Sequence, residues 1–119
     1  MAKSNQVRIV GGAWRSRLLP FPAVIGLRPT PDRVRETLFN WLGQLMDGKV
    51  CLDLFSGSGA LGFEALSRGA KQVVMVERDA KVARSLSTNA ATLNAENCEL
   101  VVADALKFLD RETRQPLPF

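Results

Sequence analysis

The sequence contains no histidine. That single absence removes a Ser-His-Asp triad, a histidine-based zinc site and a histidine general base. There are two cysteines, Cys51 and Cys98, far apart and each inside an apolar run. They have neither the spacing of metal ligands nor the density of a disulfide framework, and read as buried thiols. No stretch approaches the roughly 18 consecutive apolar residues that a membrane helix needs, so no membrane partner is expected. The opening MAKSNQVRIVGG lacks the apolar core of a secretory signal, which makes the cytoplasm the expected location. Internal repeats and low-complexity tracts are also missing. What remains is 119 residues, 46% hydrophobic and 24% charged, the balance of one globular domain.

The charge is unevenly spread. Residues 1–50 hold eight Lys/Arg against three Asp/Glu, whereas residues 51–119 hold eight against nine. Lys3, Arg8, Arg15, Arg17, Arg28, Arg33 and Arg35 make up most of the basic excess. A polyanionic partner is one explanation, because such side chains neutralise phosphates and release counterions. A solvated basic face is the other.

Residues 6–20, QVRIVGGAWRSRLLP, alternate, break at Gly11-Gly12 and resume, which predicts a small β-ribbon turning at the glycines and presenting Arg15 and Arg17. Four of the six prolines fall within residues 20–31, so that stretch is an extended connection. A helix then begins, with Thr30 as cap, Pro31 at the first helical position and Asp32 at the positive end. Val34, Leu38, Trp41, Leu42, Leu45 and Met46 recur at helical spacing as one apolar stripe, and Asp47-Gly48 ends it. Beyond this the period changes. Residues 49–55, 72–77 and 98–103 read as buried strands, separated by helices over 57–67 and 79–93. Strand, helix, strand, helix, strand implies a parallel sheet with right-handed crossovers.

The chemistry concentrates where the first strand meets its helix. Gly57, Gly59 and Gly62 form G-x-G-x-x-G between them, and Glu77 ends the next strand, placed to accept hydrogen bonds from both ribose hydroxyls of a nucleoside. No Lys-Ser/Thr follows the loop, which excludes a phosphate-binding P-loop. Asp53, at the tip of the first strand, would repel a pyrophosphate but suits a ligand with a cationic end. Asp104, just past the third strand, can accept from an adenine amine, cap the helix that follows, or do both. Three carboxylates at three successive strand ends favour S-adenosylmethionine over a nicotinamide dinucleotide. No metal is expected.

D-x-F-x-G-S-G-x-x-G followed by V-x-x-V-E resembles the cofactor half of a class I methyltransferase. V-R-I-V-G-G-x-W-R-S-R and R-P-T-P-D-R-V-R-E-T-L-F-N-W-L resemble one family in particular, the bacterial small-subunit ribosomal RNA guanine-N2 methyltransferases, from about Val7 to Asp104. The resemblance implies an α/β, Rossmann-like sheet of about three parallel strands with flanking helices, preceded by a small β-ribbon and helix. It divides the chain into a basic ribbon and linker (1–30) and an incomplete S-adenosylmethionine-binding domain (31–119). It places Asp53, Ser56, Gly57 and Gly59 at the methionine end of the cofactor, Phe55 also in the cofactor site, Glu77 on the ribose, Arg78 against the adenine, and Asp104 and Ala105 at its edge. Thr30 and the Arg28–Arg33 segment would lie over the pocket. Arg8, Arg15, Arg17, Arg28 and Arg33 would meet ribosomal RNA or the assembling small subunit.

The sequence departs from that family in one respect. Enzymes that methylate an exocyclic amine carry an Asn/Asp-Pro-Pro-aromatic motif after the fourth strand, which orients the amine and stacks on the flipped base. No such motif occurs here, and Leu117-Pro118-Phe119 does not replace it, so no catalytic residue is assigned. In the family's 3-2-1-4 order the strand over 50–55 would be left with an open edge, a site for self-association. Two other readings stay open: an RNA-binding module with a vestigial nucleoside pocket, and a nicotinamide-dependent oxidoreductase.

Overall fold

The structure is a computed structural model that describes residues 5–24, 27, 30–43, 46–54 and 56–112. In chain order its elements are β1 (Gln6–Arg8), β2 (Leu18–Pro20), α1 (Asp32–Trp41), β3 (Val50–Asp53), α2 (Ala60–Ser67), β4 (Gln72–Glu77), α3 (Ala80–Thr92), β5 (Cys98–Val102) and α4 (Ala105–Glu112). β3, β4 and β5 form a parallel sheet in that order, with Asp53 level with Met75 and Glu77 level with Val102. The expected α/β architecture and strand order are therefore present. β4 (QVVMVE) is central and nearly all apolar because both of its faces are covered. Val73 and Met75 face one core with Phe63 of α2 and Leu86 of α3, while Val74 and Val76 face a smaller one with Phe108 of α4. Complete burial of such side chains contributes about 1.5–3 kcal/mol each. Among the described residues β3 pairs only with β4.

β1 and β2 make the expected antiparallel ribbon, Val7 opposite Leu19. Val7, Ile9 and Leu19 belong to the same core as Phe39, Phe63 and Met75. Gly11-Gly12, however, is not a hairpin turn. The chain between the strands is longer, with Ile9 N–H donating to the Arg17 carbonyl and Ser16 N–H to the Ile9 carbonyl. The glycines lie instead against the end of α2. There Ala13 N–H donates to the Ser67 carbonyl at 2.8 Å, and Trp14 N–H to Ser67 Oγ at 2.9 Å. Gly12 has φ +82°, and a Cβ there would stand 2.0 Å from the Ser67 carbonyl oxygen. Close approach, not a tight turn, is why glycine is needed.

α1 differs more from expectation. Its N-cap is Pro31, with no side-chain capping bond, and it ends at Trp41 because Gly43 at φ +97° cannot continue it. The predicted stripe is largely outside. Val34, Trp41 and Leu42 are exposed, Met46 is buried beyond the helix, and Leu45 lies outside the described residues. The inward pair is Arg35 and Phe39, one turn apart on one face. The side that faces α2 is selected by a buried carboxylate on that helix, Glu64, which Arg35 reaches. Arg35 is thus withdrawn from the basic surface to which its charge assigned it. Cys51 and Cys98 are free, half-buried thiols level with Val73 on either side of β4.

Gly12→Ala combines a disfavoured backbone conformation with overpacking against Ser67. It should cost about 2–4 kcal/mol, measured as a lower urea midpoint at unchanged m-value.

Candidate functional site

The carboxyl ends of the three parallel strands open into one cleft. Its larger part, about 320 Å³, is lined by Thr30, Asp53, Ser56, Gly57, Glu77 and Arg78 together with Leu61, Asp79 and Val82. A smaller hollow of about 200 Å³ adjoins it along Glu77 and Arg78 and adds Leu54, Ala103, Asp104 and Ala105. The structure therefore gathers the expected cofactor residues Asp53, Ser56, Gly57, Glu77, Arg78, Asp104 and Ala105 around one strand-end region. Phe55 and Arg28 lie outside the described residues.

Glu77 organises the loop after β3. Its Oε1 accepts from Gly57 N–H at 2.9 Å and its Oε2 from Asp79 N–H at 3.0 Å. Each oxygen keeps a second lone pair with which to accept from a hydroxyl. Asp79 caps α3, its Oδ1 accepting from Lys81 and Val82 N–H. Ser56 Oγ donates to the Asp53 carbonyl at 2.9 Å. Gly59 does not line the cleft. It takes φ +82° as the N-cap of α2, and the space of its missing Cβ is filled by Phe63 and Leu86. Its smallness serves the packing of the helix on the core.

Asp53 is the most unusual group in the cleft. Its Oδ2 is buried without a hydrogen-bond partner. Burial pushes its carboxyl above the usual carboxylate range. The neighbouring Gly62 N–H and Ser56 hydroxyl offset this in part, and the charge of Glu77 adds to it. A buried acceptor beside a second carboxylate is a poor seat for a phosphate. It fits a ligand that brings positive charge and donors, as the amino acid end of S-adenosylmethionine does. The residues present thus fit that cofactor: Asp53 for its cationic end, Glu77 for its ribose, and the Arg78–Asp104 hollow for its base. Asp104 Oδ1 already accepts from Leu106 and Lys107 N–H as the cap of α4. Among the described residues no group of three or more His, Cys, Asp and Glu is arranged to hold a metal, and no helix is long and apolar enough to cross a membrane.

Arg8, Arg15, Arg17 and Arg33 are exposed. They are not one cluster of free charges: Arg8 pairs with Asp32 at 2.9 Å, and Arg17 reaches the Thr92 carbonyl at the end of α3. Sequence reasoning missed Val24 and Leu27, which line the cleft from a proline-rich stretch without periodicity. It also missed Glu64, fully buried in α2, although a lone acid in ALGFEALS is a visible signal.

The family model described as "Conserved hypothetical protein 95" matches residues 7–119. The chain is 55% identical over 106 residues to "Ribosomal RNA small subunit methyltransferase D" of Escherichia coli (strain K12), covering 89% of this chain and 54% of that one. A solved hypothetical protein of Thermus thermophilus superposes with a TM-score of 0.78 at 35% identity, over 92% of this chain and 62% of that one. A precorrin-6y C5,15-methyltransferase of Geobacter metallireducens GS-15 does so with a TM-score of 0.63 at 27% identity, over 76% of this chain and 47% of that one. The sheet is thus of the Rossmann-like kind found in methyltransferases. The chain spans 42% to 60% of the length of the curated relatives it matches.

The raised pKa of Asp53 has a definite sign. The folded state holds this proton to higher pH than the unfolded chain does, so stability is greatest with Asp53 protonated and falls as pH rises through the folded-state value. Asp53→Asn should therefore unfold at higher urea than the parent at pH 7. The gain should vanish on acidification toward the ordinary carboxylate range, where both side chains are neutral.

Proposed function

This chain belongs to the family described as Conserved hypothetical protein 95, and from that membership we propose that it is the cofactor-binding part of an S-adenosylmethionine-dependent methyltransferase acting on the exocyclic N2 amine of a guanine in small-subunit ribosomal RNA. The observation that carries the reading is the buried, unpartnered Asp53 Oδ2 in a cleft whose opposite carboxylate, Glu77, holds the glycine loop. The likeness to a relative named for ribosomal RNA small-subunit methylation supports the substrate class, and the N2 position rests on the motif resemblance alone.

In this reading Asp53 faces the cationic end of the cofactor. Ser56 Oγ, by bonding the Asp53 carbonyl, fixes the loop that the methionine moiety would meet, and Gly57 presents its backbone there. Glu77 accepts from the ribose hydroxyls. Arg78 lies against the adenine, with Asp104 and Ala105 at its edge. Arg8, Arg15, Arg17 and Arg33 face RNA phosphates from the ribbon and α1. The bound cofactor supplies an electrophilic methyl group for direct transfer to the amine. Because no Asn/Asp-Pro-Pro-aromatic motif occurs in the sequence, nothing in it orients the amine lone pair, and this chain alone binds cofactor without measurable transfer. The β3 edge that no described strand pairs belongs to the same proposal as a surface for self-association, visible as a sedimentation coefficient that rises with concentration.

Calorimetric titration with S-adenosylhomocysteine, with NADH as control, tests the proposal. Binding of the first alone, weakened about tenfold or more by Glu77→Gln through loss of charge-assisted hydrogen bonds, is the expected result. Tight NADH binding would favour an oxidoreductase. A folded chain that binds neither ligand but retains RNA would favour a purely RNA-binding module. Incubation with labelled cofactor and small subunits should leave the RNA unlabelled, and turnover at an ordinary enzymatic rate would contradict the assignment.

A further inference from the structure

Arg35 is completely buried, and its guanidinium meets three acceptors, two at the start of its own helix and one on α2. Nη1 donates to Glu64 Oε1 at 2.9 Å, Nη2 to Asp32 Oδ1, and Nε to the Thr30 carbonyl at 3.0 Å. The last bond has no counterpart elsewhere in the charge cluster. Thr30 precedes the N-cap of α1, and the helical ladder begins one residue later, with Arg35 N–H donating to the Pro31 carbonyl. Thr30 is also a wall of the cleft that contains Asp53 and Glu77. We propose that Arg35 is a positioning residue for the cofactor: its guanidinium fixes the Thr30 wall of the cleft relative to α2, the helix that the glycine loop feeds.

Arg68 supplies the internal comparison. It neutralises the same carboxylate, its Nε donating to Glu64 Oε2 at 2.9 Å, and it lies over the Phe39 ring. No hydrogen bond from Arg68 to Thr30 is present. If the cluster served only to compensate a buried acid, the two arginines would be equivalent. They differ in the bond to the cleft wall. Only the planar fork of arginine can serve three acceptors at fixed angles, and an ammonium in its place keeps the charge but not this set of bonds.

The inference rests on the S-adenosylmethionine reading of the cleft, and the test separates the two. Arg35→Lys and Arg68→Lys are compared with the parent by urea unfolding, by titration with S-adenosylhomocysteine well below the unfolding range, and by amide hydrogen exchange of the peptide that contains Thr30. Both variants should be less stable. Arg35→Lys should bind about tenfold more weakly, the scale set by losing a hydrogen bond from a charged donor, and should exchange faster around Thr30. Arg68→Lys should keep the parent's affinity within about twofold and its exchange rate. Asp32→Asn, at a partly exposed position, loosens the same guanidinium without unpairing Glu64 and should shift affinity and exchange in the same direction, which decides the matter should Arg35→Lys not fold. Equal losses in Arg35→Lys and Arg68→Lys, or parental affinity and exchange in Arg35→Lys and Asp32→Asn, would overturn the role given to Arg35. Failure of the parent itself to bind overturns the cofactor reading instead, while the exchange comparison still decides whether Arg35 fixes the Thr30 wall.

Discussion

One carboxylate holds three parts of this protein in register. Glu64, with no exposed surface in the middle of α2, accepts four hydrogen bonds at 2.9 Å: from Arg35 of α1, from Arg68 one turn on, and from the backbone N–H groups of Val10 and Gly11 in the ribbon. Its accepting capacity is then fully used. Such a group adds little net stability, because desolvating the charges cancels most of their attraction, yet removing one member leaves a buried charge unpaired at about 3–5 kcal/mol. Its effect here is on arrangement. The inward face of α1, the seat of Gly11-Gly12 against Ser67 and the placement of Thr30 all follow from satisfying this one acid.

The cleft depends on the same principle at a second carboxylate. Glu77 takes the N–H groups of Gly57 and Asp79, so the loop after β3 and the start of α3 converge on the end of β4. Asp53 is left different, buried and with an unpartnered oxygen. Of the two acids, Glu77 anchors the loop through two backbone donors, while the Asp53 carboxyl is buried beside Gly62 N–H with its Oδ2 outside any hydrogen bond that the geometry resolves. The loop glycines belong to this frame in unequal ways. Gly57 presents its N–H to Glu77. Gly59 and Gly62 leave room for Phe63 and Leu86, and for Met75 and Asp53 respectively.

Much of this was legible from residue order. The apolar run QVVMVE, the change of period after Gly48, and the spacing of strands against helices indicate a parallel sheet, because a strand buried on both faces admits few polar residues. The glycine loop followed by Glu77 marks the strand ends where ligands collect in such sheets. Asp104 capping α4 is a local event, carried by a side chain and the N–H groups two and three residues on.

What could not be read locally was the direction in which α1 faces and the reason for Gly11-Gly12. Periodicity put Val34, Trp41 and Leu42 inward, since apolar spacing ranks a valine or tryptophan above an arginine for burial. The folded chain reverses that ranking because α2 presents a buried carboxylate that Arg35 reaches across from α1, alongside Arg68 from its own helix end. Sequence alone determined the class of fold, the strand-end site and the acids at each strand tip, for these depend on contacts between near neighbours and on alternation along single strands. Only the tertiary structure decided which arginines are surface and which are buried, which glycines pack and which turn, and which of the carboxylates lacks a partner. Those outcomes depend on pairing charges and excluding Cβ atoms between segments far apart in the chain, where no local pattern records the partner.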